Sequence, residues 1–137
     1  MGLANDKSIA WGIARACAEA GADLAFSYQG DALKKRVDPL AAQLGSNLVL
    51  PCDVGDEASM DALFDSLKDA WGTLDFVVHA IGFSDKNELR GRYVDTTRGN
   101  FLTSMDISVY SFTAVVQRAE KMMTDGGSCL TLTYYGA

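Results

Sequence analysis

Histidine occurs once, proline twice and cysteine three times among the 137 residues. Cys17, Cys52 and Cys129 are odd in number and far apart, so neither a disulfide framework nor a zinc site is indicated. The expectation is three buried, reduced thiols in a cytoplasmic protein, with no metal. Basic residues are the minority, 12 Lys and Arg against 18 Asp and Glu. The resulting net charge of -6 argues against nucleic acid or an anionic membrane as the main partner. No apolar run approaches membrane-spanning length, and no secretory leader pattern opens the sequence. What is present is 48% hydrophobic and 22% charged, the make-up of one globular domain with a moderate core.

The stretch Met1–Gly12 organises the rest. It reads as a glycine-containing turn running directly into a helix. Gly2 can adopt backbone angles closed to other residues and lets a ligand approach the main chain. Ser8 stands at the helix start, with Ile9, Ile13 and Ala16 following on one face. The free N–H groups and positive dipole end of such a helix attract phosphate, and a serine hydroxyl adds a hydrogen bond. Gly12 is expected to let that helix pack closely on a sheet. The spacing departs from the G-x-G-x-x-G fingerprint, and an ordinary capped helix explains this stretch equally well by itself.

Helical spacing over 8–20 ends at Gly21, and Asp23–Tyr28 reads as a short buried strand. A helix over 31–44 carries Leu33, Val37, Leu40 and Leu44 on one face, with Pro39 predicted to kink it or to force a tight fit. Strand 47–51 follows, then helix 57–71 with a stripe of Met60, Leu63, Phe64, Leu67 and Trp71. Strand 74–79, a polar loop over 82–95, one long helix near 97–123 and strand 128–133 complete the chain. Strands alternating with helices of this length predict βαβ units and an α/β fold. The expected form is a Rossmann-like doubly wound parallel sheet in three layers, a single NAD(P)-binding domain over 1–137.

Such sheets bind ligands beyond the carboxyl ends of their strands. Those ends are Tyr28–Gly30, Asp53–Val54, Ala80–Gly82 and Tyr134–Gly136. Singly, each has a plain structural explanation: Gln29 a turn residue, Asp53 a helix cap, Gly82 a turn glycine. Their joint placement after successive strands, following a phosphate-type turn, makes a dinucleotide site the leading reading.

Five segments carry a closer likeness: Gly2 with Ser8-Ile9-Ala10 and Gly12, Tyr28–Asp31, Cys52–Val54, His79–Phe83 and Leu132–Ala137. Together they resemble the bacterial enoyl-acyl-carrier-protein reductases, a divergent branch of the short-chain dehydrogenase/reductases. The likeness runs the length of the chain in order. It implies that Gly2, Ser8 and Ile9 bind the cofactor pyrophosphate and that Gln29 lies near the adenosine ribose. It further implies that Asp53 and Val54 hold the adenine, that Ile81 sits beside the nicotinamide ribose, and that Ser84 faces the acyl substrate. Tyr134 would match the first of two active-site tyrosines, and Tyr135 should point to the opposite face.

The implied reaction is reduction of a trans-2-enoyl thioester on acyl carrier protein, with a second tyrosine stabilising the enolate and a lysine binding ribose. That second tyrosine and the lysine would lie beyond Ala137. The first, central strand would precede Gly2, which leaves strands 23–28 and 47–51 without a partner on the side facing 74–79. The chain is therefore expected to be part of a longer homotetrameric protein. NADH is preferred over NADPH on physical grounds, because no cation follows Gln29 directly and Asp31 would repel a 2′-phosphate. Lys34, Lys35 and Arg36 read as a solvated helix face.

Two other readings stand beside this one: a short-chain dehydrogenase acting on ketones, alcohols or 3-oxoacyl thioesters, and a nucleotide-binding module without catalysis. The Ile81–Phe83 segment weighs against the first. His79 reads as a structural histidine. Helix 97–123 puts Met105, Val109, Phe112, Val116, Ala119 and Met123 on one face, with Ile107, Tyr110 and Val115 elsewhere for a second contact.

Overall fold

The computed structural model describes residues 1–134. The expectation for Tyr135 lies outside the described residues.

The alternation read from the sequence is present. In chain order the elements are α1 (Ile9–Glu19), β1 (Ala25–Tyr28), α2 (Asp31–Gln43), β2 (Leu48–Pro51), α3 (Glu57–Trp71) and β3 (Phe76–His79). Then come α4 (Arg98–Met105), α5 (Ser111–Ala119) and β4 (Ser128–Thr131). Local chemistry fixes their ends. Ser8 caps α1 by accepting from the Trp11 N–H, and Asp56 caps α3 by accepting from the Ala58 N–H. Gly72 ends α3 at φ 76°, an angle that favours glycine. Helix α2 runs through Pro39, with Val37, Leu40 and Ala41 buried around it.

All strand pairing is parallel. β1 pairs with β2 from Ala25↔Leu48 to Tyr28↔Pro51, and β3 with β4 from Phe76↔Ser128 to His79↔Thr131. The two pairs form separate two-stranded sheets. Between β1 and β3 runs a cavity of about 570 Å³, walled by residues 24–27 and 74–78 and covered by Ala14 of α1 and Leu63 and Leu67 of α3. Met1 closes its upper end in strand fashion. Its nitrogen donates to the Val78 carbonyl at 2.8 Å, and its carbonyl accepts from the Ala80 N–H at 3.1 Å. That is parallel ladder geometry opposite His79.

Two apolar clusters make the layers. Leu3, Trp11, Ala14, Phe26, Val37, Leu40 and Ala41 join α1 and α2 to one face of β1. Met60, Leu63, Phe64, Leu67, Val77, Ala114, Val115 and Ala119 join α3 and α5 to β3. Arg118 ties α5 to α3, donating to Glu57 at 2.6 Å and Asp61 at 2.8 Å.

Three expectations are corrected. Gly12 is exposed, with open space where a Cβ would stand, and Trp11 and Ala14 make the packing contact instead. Of the thiols only Cys52 is fully buried; Cys17 and Cys129 are half-buried. The long helix 97–123 is interrupted by a π turn, Asp106–Tyr110, between α4 and α5. Each residue advances a helix by about 100°, so a wider turn re-aims everything after it. The buried face of α5 is accordingly Ser111, Ala114, Val115 and Ala119, whereas Met105 and Val109 are exposed.

Candidate functional site

The carboxyl ends of β1, β2 and β3 open on one edge, and the turn before α1 lies against it. Gly2 has φ 88°, and a Cβ there would collide with the Ala80 carbonyl. The turn is thus seated directly beside the end of β3, in a place only glycine can occupy. Ser8 accepts from the Trp11 N–H at 3.2 Å and donates to the Asn5 carbonyl at 2.8 Å. That holds the N-terminus of α1, with its free N–H groups, at the same edge. Ile9, the first residue of α1, is 68% exposed, so nothing among the described residues covers this end.

The β1 and β2 ends meet through their side chains. Gln29 donates from Nε2 to Asp53 Oδ2 at 3.3 Å, joining residues 24 positions apart. The other Asp53 oxygen accepts from the Gly55 N–H at 2.9 Å, and the Asp53 N–H donates to the Ser59 hydroxyl at 2.9 Å. Asp53 is therefore oriented rather than free. Val54 packs its side chain toward the core cluster. Beyond Gly30, Lys34 lies over the Tyr28 ring at 5.7 Å and is tied to Asp38 at 2.7 Å. It is committed to its own helix.

Past β3, Ile81 is half-buried and Phe83 is 50% exposed. Ser84 bonds to Asn100 and, at 3.0 Å, to Ser104. Tyr134 stands apart: it is 95% exposed. The structure therefore brings Gly2, Ser8, Ile9, Gln29, Asp53 and Ile81 to one edge and leaves Tyr134 exposed.

His79 ends β3, fully buried. Its Nδ1 lies 3.1 Å from the Thr131 hydroxyl and its Nε2 2.8 Å from the Ser111 hydroxyl, with the Phe112 ring 5.5 Å away. The Ser111 hydroxyl donates to the Ile107 carbonyl at 2.6 Å, which leaves it to accept from Nε2–H, so the ring is neutral with its proton on Nε2. Burial holds the imidazole below its ordinary pKa. This is a structural histidine.

Sequence reasoning missed the polar stripe Asn100, Ser104, Ser108 and Ser111. The four-residue spacing was readable, but the stronger apolar pattern of the same helix concealed it.

A nicotinamide dinucleotide fits what the edge offers: a turn that lies against the end of β3 only because Gly2 lacks a Cβ, a capped helix end for phosphate, and an oriented carboxylate beyond β2.

Comparison with known proteins agrees with the fold. A family model described as enoyl-(acyl carrier protein) reductase matches residues 2–137. The chain is 66% identical over 137 residues to enoyl-[acyl-carrier-protein] reductase [NADH] 1 of Rhizobium meliloti (strain 1021), covering 100% of this chain and 50% of that protein. A crystal structure of FabI from Candidatus Liberibacter asiaticus superposes with a TM-score of 0.96 at 57% identity, covering 99% of this chain and 53% of that one. The reductase from Anaplasma phagocytophilum in complex with NAD gives 0.93 at 62% identity, covering 98% and 52%. The chain thus spans about half the length of the curated relatives it matches.

Proposed function

Given that the chain belongs to the enoyl-(acyl carrier protein) reductase family, we propose that it supplies the cofactor-binding part of an NADH-dependent enoyl-acyl-carrier-protein reductase of fatty acid biosynthesis. The observation that carries this reading is the seating of the Gly2 turn against Ala80 beside the Ser8-capped start of α1.

Gly2, Ser8 and Ile9 hold the pyrophosphate on main-chain N–H groups. Gln29 and Asp53, bonded to each other, receive the adenosine end, with Val54 as its apolar support. Ile81 borders the nicotinamide ribose, and Ser84 faces the acyl chain. Asp31, in the first turn of α2, disfavours a 2′-phosphate, and Lys34 is already paired with Asp38. NADH, when bound, supplies the hydride for the β-carbon of the trans-2-enoyl thioester. Charge then develops on the thioester oxygen and requires a pre-placed donor. Tyr134, three residues past β4, belongs near the thioester.

Residues 1–137 form one nucleotide-binding domain in this reading. The protein is a cytoplasmic homotetramer, and Leu102, Met105 and Val109, all at least 43% exposed along α4 and the π turn, supply apolar surface for a partner subunit.

The test is the full-length protein with crotonyl or longer enoyl thioesters, followed by loss of NADH absorbance. Turnover of enoyl but not 3-oxoacyl thioesters is expected. NADH binding with no turnover of any enoyl thioester would reduce the reading to a binding module.

A further inference from the structure

The segment that leaves β3 is held along its length by one helix face. Phe83 donates its N–H to the Ser108 hydroxyl at 3.0 Å, and that hydroxyl donates to the Phe83 carbonyl at 3.1 Å. Ser104 reaches the Ser84 hydroxyl at 3.0 Å, and Asn100 Oδ1 accepts from the Asp85 N–H at 2.9 Å. Below them Ser111 meets His79. Four polar side chains spaced along the helix thus bond, in reverse order, to four successive points between residues 79 and 85.

The π turn makes that alignment possible. In an unbroken α-helix every fourth residue drifts by about 40° around the axis. Asn100, Ser104 and Ser108 would spiral away from a straight segment. The wider turn over Asp106–Tyr110 takes out part of that drift. It also has an anchor. The Ser111 N–H reaches back five residues to the Asp106 carbonyl, which deprives the Ile107 carbonyl of its usual α-helical donor. The Ser111 hydroxyl replaces it at 2.6 Å while accepting from buried His79. The wide turn is therefore fixed from the sheet, through a histidine on β3.

We propose that Asn100, Ser104 and Ser108, set in line by the π turn that His79 and Ser111 anchor, are positioning residues that hold Ile81–Ser84 in place for the reaction at this edge. The consequence for catalysis rests on the reductase reading. The mechanical part does not.

The experiment uses the full-length protein carrying Asn100→Ala, Ser108→Ala or Ser108→Thr. Amide hydrogen exchange is expected to accelerate about tenfold at Phe83 in Ser108→Ala and at Asp85 in Asn100→Ala, with Ser108→Thr close to wild type. Kinetics should show kcat/KM for the enoyl thioester falling about tenfold in Asn100→Ala, mainly through KM, with unchanged affinity for NADH. Ser108→Ala should fall similarly and Ser108→Thr should restore it. Exchange unchanged at both amides would overturn the proposal. So would faster exchange with unaltered kinetics in a protein that turns over enoyl thioesters. Faster exchange in a wild-type protein background that reduces no enoyl thioester would instead sink the reductase reading and leave the mechanical part standing.

Discussion

Replacing Gly2 with valine in the full-length protein is expected to weaken NADH binding by at least about 100-fold. Two effects combine. The backbone at Gly2 is left-handed, φ 88°, which costs an L-residue roughly 1–2 kcal/mol and a β-branched one more. The new Cβ also points at the Ala80 carbonyl, which is main chain and cannot swing aside. The turn must therefore move away from β3, taking its N–H groups out of line with the start of α1. Gly99→Ala is the matched control. The residue is exposed in α4 and not at positive φ, and its Cβ would meet only the Thr97 hydroxyl at 3.9 Å, so binding should stay within about twofold. Fluorescence titration with NADH measures both, and far-UV circular dichroism confirms that each variant is folded. A folded Gly2→Val protein that binds NADH within tenfold of wild type would remove this turn from the site.

Val115→Asp carries the largest expected cost in stability. Val115 is fully buried among α3, α5 and β3. An isolated carboxylate there loses its hydration, and the neighbouring cation, Arg118, is already bound by Glu57 and Asp61. The penalty is on the order of 4 kcal/mol or more, a large share of the total stability of a typical domain. Val115→Ala loses only the apolar burial and some packing, about 1–2 kcal/mol. Urea unfolding of the two variants separates charge from volume. Equal midpoints would mean that this position is wetter than its burial indicates. Because Ser111 lies one turn before Val115, loosening α5 should also release the π turn.

Much of this architecture was readable in the residues. Helix α3 was placed at its observed bounds because its apolar stripe, Asp56 cap and Gly72 stop all act within a few residues of one another. Strands were found in the right places but drawn too long. Apolar alternation continues past the last paired residue, whereas a strand ends where its neighbour does: Ala25 pairs with Leu48, and β1 starts there. Gly2 and Ser8 were singled out from a turn entering a helix, and Gln29, Asp53 and Ile81 from their places after strands; the structure gathers them at one edge.

The sequence by itself determined the type and order of the elements, the edge at which the strand-end residues gather, and the residue that must be glycine. These follow from periodicity, capping and backbone freedom, which are short-range properties. Only the tertiary structure decided how the second half of the chain faces that edge. The π turn depends on a bond between His79 and Ser111 across 32 residues, and the grip on Phe83 on Ser108, 25 residues away. No local propensity specifies such a bond. A buried imidazole that needs two partners, and a carbonyl left without its donor, together select a turn the helix would not form alone. That turn changed which face of α5 is buried.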